Sequence, residues 1–306
     1  MNNTFDESSL EVFKTMLIEA YGEKIALDIF LELPKNRIVS LRVNSLKSQV
    51  NDIEYIFKQE NINFEKVSWY NDAYVVSCNE KDIERLDIYQ NGMIYLQSLS
   101  SMIPALMMKP QENEDILDMA AAPGGKTTQI AALTHNKARL TVTETHKIRA
   151  EKLKFNLDRQ GVKNATLLVK DARQLDDFFR FDQILLDAPC SGSGTFVLSE
   201  PKSYQSFSKE LVDKSVKLQR ELLDKAIKLL KPGKTLIYST CSILPIENEE
   251  IIKHVLKRNQ VELVPIDDHM YQNIPKLPTR LEGTLLIKPT TQYEGFFVCK
   301  LKKKQQ

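Results

Sequence analysis

Two of the four cysteines lie in short loops rich in glycine, serine and proline, where a thiol can reach a substrate. Cys190 lies in the segment DAPCSGSGT (187–195), and Cys241 lies in the segment YSTCS (238–242). Each loop follows an apolar run that is typical of a buried strand. A thiolate is a strong nucleophile that forms transient covalent bonds with electron-poor substrates. The two loops therefore indicate nucleophilic catalysis, with a pair of buried, inert cysteines as the alternative.

Carboxylates stand at the ends of four strand-like runs in the second part of the chain. In chain order they are Asp118, Glu144, Asp171 and Asp187. In an open parallel sheet the carboxyl ends of the strands meet at one edge, and ligands bind there. A single carboxylate at such a position is as often a helix N-cap. Four in succession, on the same edge as the two cysteine loops, favour a shared site.

The loop after the first of these strands is built from small residues. It comprises Ala120, Ala121, Ala122, Pro123, Gly124, Gly125 and Lys126. The glycines permit close backbone approach, and the N–H groups of the following helix can hold an anionic or polar ligand. The end of the loop fits a phosphate-binding P-loop, but Ala120 replaces that motif's first glycine, and no G-x-G-x-x-G is present. The loop alone is compatible with either nucleotide-like ligand or with a plain strand–helix turn.

Two of the strand-end carboxylates fit the recognition of a nucleoside. Glu144 lies about 20 residues after the glycines, where a carboxylate accepts hydrogen bonds from both ribose hydroxyls. Asp171, after the third strand, can hold an adenine amino group. Because the loop lacks a triphosphate clamp, these residues favour S-adenosylmethionine, which has adenine, ribose and a zwitterionic tail but no phosphate.

The elements that must position these residues alternate between strands and helices from residue 114 onward. Strand-like runs occupy 115–119, 139–144, 165–171, 183–189 and 235–241, and helical patterns occupy 145–161 and 208–233. Near-continuous apolar strands that alternate with helices predict an α/β fold with a parallel sheet covered on both faces. Two further strands, at 284–289 and 295–301, are spaced to form an antiparallel hairpin at one edge.

The first 90 residues have a different pattern. It predicts one or two helices over 8–33, a strand over 37–44, a helix over 51–60 and then two short strands. We therefore expect a small α+β domain over 1–90 and a larger domain over 91–306. The first contains 10 Lys and Arg against 16 Asp and Glu, and the second contains 32 against 25. A polyanion should therefore meet mainly the later part, unless the split is only uneven surface composition.

Composition and cysteine spacing exclude several classes of protein. With 306 residues, 42% hydrophobic and 27% charged, the chain suits about two globular domains. No apolar run reaches the roughly 18 residues of a membrane span, and the N-terminus lacks the pattern of a signal peptide. The cysteines form no C-x-x-C, so we expect free thiols in a reducing cytoplasm and no metal site. Cys78 and Cys299 lie inside strand-like runs and are expected to be inert.

Seven segments of the chain resemble the RNA (cytosine-5) methyltransferases of the Sun type. They are SLRVNSLK (40–47), QSLSSM (97–102), LDMAAAPGGKTTQIAAL (117–133), DAPCSGSGT (187–195), LLKPG (229–233), YSTCSILPIENEE (238–250) and EGFFVCKLKK (294–303). The likeness runs over nearly the whole chain. The motifs APGGKT, DAPCSG and STCS-x-x-x-x-EN, in this order along the chain, are together highly specific for this family.

The resemblance implies a small domain similar to an RNA-recognition motif over 1–90, and then a Rossmann-like methyltransferase domain over 91–306. It also implies S-adenosylmethionine as the cofactor, bound by the loop Ala120–Lys126 and by Glu144, Asp171 and Asp187. Met119-Ala120 departs from a common Leu-Cys pair, which should not affect binding through the backbone. Leu198-Ser199-Glu200-Pro201 stands where many members have Arg before Asn-Pro or His-Pro, which leaves one substrate-contacting position open.

The resemblance also implies different roles for the two loop cysteines. Cys241 would be the nucleophile that adds to carbon 6 of cytosine, and Cys190 would assist product release as a base. Lys126 and Asp187 would meet the charge that develops on the pyrimidine ring. Cys190 is the rival nucleophile, because Pro-Cys is the nucleophile motif of DNA cytosine-5 methyltransferases, but the Thr-Cys context favours Cys241.

The expected function is therefore methylation of carbon 5 of cytosine in RNA by a cytoplasmic monomer, with no membrane or metal partner. Ribosomal RNA is the commoner target among bacterial relatives, and transfer RNA is the alternative. Because no RNA-binding extension follows Gln306, we expect target selection from 1–90 or from the catalytic surface. We expect phosphate contacts in the basic later part, as at Lys300, Lys302, Lys303 and Lys304. A non-catalytic RNA-binding or ribosome-assembly factor and a P-loop ATPase are the competing functions.

Overall fold

The computed structural model describes residues 7–305 of the chain. Its helices are α1 (Glu7–Tyr21), α2 (Glu23–Leu31), α3 (Val50–Gln59), α4 (Glu80–Glu84), α5 (Asp87–Gln90), α6 (Leu99–Met108), α7 (Gly125–Leu133), α8 (Lys147–Gln160), α9 (Lys209–Leu229) and α10 (Glu249–Leu256). Its strands are β1 (Val39–Val43), β2 (Phe64–Lys66), β3 (Ala73–Val76), β4 (Ile94–Leu96), β5 (Asp115–Asp118), β6 (Arg139–Thr143), β7 (Ala165–Leu168), β8 (Phe181–Asp187), β9 (Leu230–Thr240), β10 (Val261–Val264), β11 (Leu285–Ile287) and β12 (Phe296–Lys303). Within this range no helix is long and apolar enough to cross a membrane. Residues 1–6, which begin the N-terminal segment without a signal-peptide pattern, lie outside the described residues.

Strands β1 to β4 form a small antiparallel sheet in the order β2-β3-β1-β4. Helix α3 packs on it through Ile53 and Phe57, which lie one turn apart and are buried against Tyr74 of the sheet. A capping box between Gln49 and Asp52 fixes the start of this helix. The strand β4 was not predicted, because three residues are too few to show a strand's alternation. The likeness of this unit to an RNA-recognition motif stays a prediction.

Strands β5 to β12 form the larger sheet, in the order β10-β12-β9-β8-β5-β6-β7, with β11 also paired to β12. The run from β9 to β7 is parallel, and β12 is antiparallel to its neighbours. One apolar cluster packs α1, α2, α9 and α10 on one face, and a second packs α6, α7 and α8 on the other. The predicted α/β, Rossmann-like fold is confirmed, and β11 and β12 form the expected antiparallel pair at one edge.

The helix predicted over 208–233 ends four residues early. Helix α9 stops at Leu229, and β9 begins at Leu230, which pairs with Phe181 of β8. Pro232 disfavours helical backbone at the residue before it, so the helix stops before the Pro-Gly pair. The sheet then takes up the residues that the prediction assigned to the last helical turn.

Helices α1 and α2 pack on the larger sheet rather than on the smaller one. The ring of Phe13 lies 4.8 Å from that of Phe196 and 5.5 Å from that of Phe207, both of which belong to the larger core. Strand β4 also lies beyond the boundary predicted at residue 90. We therefore propose that the smaller unit comprises residues 39–96 and is inserted between α2 and the rest of the larger unit.

Candidate active site

The ends of β8 and β9 bring the two loop cysteines into contact. These strands are parallel neighbours, so the loops that follow Asp187 and Thr240 leave the sheet side by side. The Sγ atoms of Cys190 and Cys241 lie 3.2 Å apart, and both residues are partly exposed. The hydrogen bond to Cys241, together with burial, raises the pKa of the Cys190 thiol well above its ordinary value. Cys299, by contrast, is buried in the core.

A largely buried ion pair joins the start of α7 to the end of β8. The Nζ atom of Lys126 donates to Oδ2 of Asp187 and to Oγ of Ser101, each at 2.7 Å. The Oγ atom of Ser239 donates to Oδ1 of Asp187 at 2.7 Å. Burial alone would lower the pKa of the Lys126 ammonium, but the charge and the hydrogen bond of Asp187 outweigh it. The pKa of Lys126 is therefore raised, with a smaller contribution from Cys241, and the site keeps a fixed positive charge.

The small-residue loop is held in place from both neighbouring elements. Gly124 has a φ of +110°, a backbone conformation that favours glycine, and it leads into α7. From the smaller sheet, the fully buried Arg42 donates to the carbonyl oxygen of Gly125 at 3.3 Å. From α8, the side-chain amide of Asn156 donates to the carbonyl oxygen of Pro123 at 2.8 Å. Arg42 and Asn156 thus fix the loop, although neither residue was predicted to have a role.

Two clefts adjoin at this edge of the sheet and share Ala120. The larger has a volume of about 370 Å³ and is lined by the loop and by Asp118, Lys126 and Asp187. The smaller has a volume of about 230 Å³ and is lined by Glu144 and Asp171. The predicted cofactor residues are therefore divided between the clefts. The two carboxylates predicted to bind the nucleoside, Glu144 and Asp171, line the smaller one. No group of three or more His, Cys, Asp or Glu side chains within residues 7–305 is arranged to bind a metal.

Arginines pair with both carboxylates of the smaller cleft. The buried Glu144 accepts a hydrogen bond from the N–H of His146 at 2.9 Å, and its Oε2 lies 3.4 Å from Nη1 of Arg149. Hydrogen bonds from the side chain of Arg173 lower the pKa of Asp171, so that this carboxyl group is ionised at neutral pH. Neither arginine was predicted from the sequence, although each follows its carboxylate by only a few residues.

Asp118 occupies the floor of the larger cleft at the end of β5. It is only 3% exposed, and its Oδ2 accepts a hydrogen bond from Oγ1 of Thr127 at 2.6 Å. Burial raises the pKa of Asp118 to about 6. The ionised form of this carboxylate therefore costs the folded state free energy at neutral pH.

We expect Asp118 to make the protein less stable as the pH rises from about 4 to about 6. In this window Asp118 keeps its proton in the folded state but has released it in the unfolded state. The favourable contribution of Asp118 to the free energy of unfolding is therefore complete below about pH 4 and lost above about pH 6. Asp118→Asn keeps an acceptor for Thr127 and removes the titration. Urea unfolding should show the stability of wild type relative to Asp118→Asn falling by up to about 3 kcal/mol across the window.

Asp182, at the opposite end of β8, provides the control of opposite sign. Burial would raise its pKa, but hydrogen bonds from the Asp115 N–H, Lys231 and Lys234 lower it to about 2. Its contribution is therefore present above about pH 4 and lost as the pH falls toward 2. A stability difference between wild type and Asp118→Asn that did not change with pH would contradict the assignment.

The lysines near the C-terminus are occupied by contacts within the chain. The Nζ atom of Lys300 donates to the carbonyl oxygen of Met107 at 3.1 Å, and that of Lys303 donates to the carbonyl oxygen of Leu230 at 2.8 Å. Burial lowers the pKa of both lysines. These contacts do not support the expectation that this segment binds phosphates.

Several known proteins that are similar to this chain are named as ribosomal RNA methyltransferases. A family model described as 16S rRNA methyltransferase RsmB/F matches residues 105–302. Ribosomal RNA small subunit methyltransferase F of Aliivibrio fischeri (strain MJ11) is 34% identical over 305 residues, which cover 96% of this chain and 64% of the relative. The protein of the same name from Shewanella amazonensis is 36% identical, over 87% of this chain and 58% of the relative. The chain thus spans less than two thirds of the length of these curated relatives.

A solved structure is similar over its whole length. The crystal structure of a methyltransferase homolog protein from Pyrococcus horikoshii is 29% identical, with a TM-score of 0.83, and the match covers 100% of both chains. The family model spans well over half of the present chain, and its match includes both cysteine loops and the loop before α7. The chain therefore belongs to the family described as 16S rRNA methyltransferase RsmB/F.

Proposed function

We propose that this chain is an S-adenosylmethionine-dependent methyltransferase that modifies carbon 5 of cytosine in RNA through a covalent cysteine adduct. The observation that carries the proposal is the contact of Cys190 with Cys241, at 3.2 Å between sulfur atoms, at the ends of adjacent strands. Carbon 5 is a weak nucleophile until another nucleophile adds to carbon 6. A pair of thiols suits a reaction that needs both an attacking group and a group that takes up a proton. The family to which the chain belongs supports RNA as the substrate.

The two adjoining clefts fit S-adenosylmethionine. The buried carboxylate of Glu144 suits the ribose hydroxyls, and Asp171 suits the adenine amino group. The backbone of the loop at Ala120, which both clefts share, would carry the amino-acid tail toward the larger cleft. When bound, S-adenosylmethionine supplies an electrophilic methyl group.

Lys126 and Asp187 of the larger cleft, together with the two cysteines beside them, fit the remaining chemistry. The Cys241 thiolate forms a bond to carbon 6, and electron density moves onto the ring, where the Lys126 ammonium and its partner Asp187 stabilise it. When Cys241 is bonded to the ring, the hydrogen bond and the charge by which it raises the pKa of Cys190 are lost, and Cys190 releases its proton more readily. Once carbon 5 carries the methyl group, the thiolate of Cys190 takes the carbon 5 proton, directly or through water. The double bond between carbons 5 and 6 forms again, and the bond to Cys241 breaks to release its thiolate.

The geometry of Lys126 disfavours the competing ATPase. A P-loop lysine must reach the β- and γ-phosphates of a nucleotide. Here the ammonium is held by Asp187 and Ser101, and the carboxylates of Asp118 and Asp187 face the same cleft. These carboxylates would repel a triphosphate in this cleft, whereas they would attract a sulfonium.

We further propose ribosomal RNA as the target class, because the family model and the curated relatives are named for it. Enzymes that act on a base take it out of its stack. The larger cleft is lined by residues from both units. Tyr95 comes from the smaller unit, and Arg37 comes from the segment that leads into it. The smaller unit is therefore positioned to contact RNA beside the reacting cytosine.

The test of the proposed function is methyl transfer from labelled S-adenosylmethionine to small ribosomal subunits, free ribosomal RNA and transfer RNA. Mass spectrometry of nucleosides from the ribosomal samples should detect 5-methylcytidine, and bisulfite sequencing should locate it. Label on protein, on DNA or on a nucleoside other than cytidine would contradict the proposal. Label on transfer RNA alone would retain the chemistry and overturn the target class.

Glu144→Ala should weaken the binding of S-adenosylmethionine about 10- to 100-fold. The variant loses the buried carboxylate that is proposed to accept hydrogen bonds from the two ribose hydroxyls. Titration calorimetry of the folded variant measures this effect directly. Glu112→Gln is the control, since Glu112 is an exposed partner of Lys137 away from both clefts. Unchanged affinity in Glu144→Ala would place the nucleoside elsewhere.

A further inference from the structure

One buried carboxylate ties the two cysteine loops together. Glu247 is 0% exposed and lies in the short turn between β9 and α10. It accepts hydrogen bonds from the N–H of Ser191 at 2.8 Å, from Oγ of Ser191 at 2.5 Å and from Oγ of Ser242 at 2.6 Å. Ser191 follows Cys190 directly, and Ser242 follows Cys241 directly. The carboxylate therefore holds both loops one residue away from the thiols.

Side chains from other elements complete this network. The Nε2 atom of Gln219, in α9, donates to Glu247 at 3.2 Å and to the carbonyl oxygen of Pro189 at 2.9 Å. The side-chain amide of Asn248 donates to the carbonyl oxygen of Ser242 at 2.8 Å. The hydroxyl group of Tyr238 donates to the carbonyl oxygen of Glu247 at 2.7 Å. The carboxylate of Glu247 is thus held by Ser191, Ser242 and Gln219, and its backbone carbonyl group is held by Tyr238.

Charge around the two thiols is asymmetric. The negative charge of Glu247 contributes to the raised pKa of Cys190, after the hydrogen bond to Cys241, burial and the charge of Cys241. The positive charge of Lys126, in contrast, interacts with Cys241. Tyr238 from β9 also interacts with Cys190, and Asp187 from β8 interacts with Lys126. A negative charge thus acts on Cys190 and a positive one on Cys241.

We propose that Glu247 is a positioning residue that holds the two thiols together and whose charge assigns attack to Cys241 and proton transfer to Cys190. The roles in catalysis rest on the proposed function. The clamp and its effect on thiol reactivity do not, and they can be measured without RNA or cofactor. A thiol beside a buried carboxylate loses its proton less readily, so less of it is present as the attacking thiolate, and the thiolate that does form is a stronger base.

Glu247→Gln tests the charge while keeping the shape and an acceptor for the Ser191 N–H. Iodoacetamide labelling of the full chain, with peptide mass spectrometry across pH 6 to 10, gives a separate rate for each cysteine. In wild type, Cys241 should react before Cys190. In Glu247→Gln the labelling profile of Cys190 should move to lower pH, so that its rate at pH 8 rises about tenfold.

Two further variants separate charge from folding. Glu249→Gln removes another buried carboxylate, which contacts the Arg280 N–H, and should leave the Cys190 profile unchanged. Glu247→Asp keeps the charge and should restore the wild-type profile in part. A Cys190 profile in folded Glu247→Gln that matches wild type would overturn the proposal.

Ser191→Ala decides the question if Glu247→Gln does not fold. It keeps the carboxylate but removes one hydrogen bond that holds the Cys190 loop. Labelling of Cys190 relative to Cys241 should then rise at least threefold, because the loop is freed, and an unchanged ratio would overturn the clamp. If the thiols behave as expected but wild type does not methylate RNA, the proposed function fails and the clamp stands.

Discussion

Cys241→Ala is expected to lose methyl transfer to RNA by at least about 10³-fold, because the variant has no nucleophile to activate the pyrimidine. Cys190→Ala is expected to form the bond to RNA and fail to break it. The two sulfur atoms lie 3.2 Å apart, and loss of Cys190 leaves Cys241 in place while removing the group proposed to take the carbon 5 proton. The same geometry thus predicts opposite phenotypes for neighbouring thiols.

Denaturing gels of each variant with labelled RNA and S-adenosylmethionine test this pair of outcomes. Cys190→Ala should give an RNA–protein band that survives denaturation, and Cys241→Ala should give none. Cys78→Ala, in the smaller unit, is the control and should turn over as wild type does. A persistent band with Cys241→Ala and none with Cys190→Ala would reverse the two roles.

Asp187→Asn should reduce the rate of methyl transfer about 10²- to 10³-fold and lower the free energy of unfolding by about 3 kcal/mol. Asp187 is the main partner of the Lys126 ammonium, whose side chain is only 11% exposed. Without that charge, burial dominates and the pKa of Lys126 falls. The alkaline limb of the pH–rate profile should therefore shift to lower pH, since the reaction needs the charged ammonium.

Asp182→Asn is the matched control, because it removes a carboxylate from the other end of the same strand. It should destabilise the protein at neutral pH but leave the alkaline limb where it is, since Asp182 pairs with Lys231 and Lys234 outside the clefts. Pre-steady-state rates and urea unfolding give the two quantities separately. If the alkaline limb of the pH–rate profile is unchanged in Asp187→Asn, the ion pair of Lys126 with Asp187 takes no part in the reaction.

The sequence predicted the edge of the sheet well because of a simple regularity. Each apolar run is followed at once by a polar residue, and parallel pairing brings those residues to one rim. Asp118, Asp187 and Cys241 lie there for that reason. The same regularity assigned Glu144 and Asp171 to this rim, but it did not show that they line a different cleft from Asp118 and Asp187.

What the sequence did not reveal depends on contacts between distant segments. Glu247 receives its hydrogen bonds from Ser191, Gln219 and Ser242, and the first of these lies 56 positions away. No periodicity reports such a contact. Likewise, α1 packs on the larger core through the contact of Phe13 with Phe196. The amphipathic pattern of a helix does not indicate which surface the helix will cover.

The central claim is that the Cys241 sulfur bonds to the cytosine that accepts the methyl group. RNA carrying 5-fluorocytidine tests it in the unmodified protein, because fluorine at carbon 5 cannot leave as a proton does and the adduct persists. After digestion, peptide mass spectrometry should find the methylated fluoropyrimidine nucleotide on the peptide that contains Cys241. The nucleotide on the Cys190 peptide would contradict the claim. So would the absence of any cysteine adduct with the fluorinated RNA, if the same protein methylates unmodified RNA.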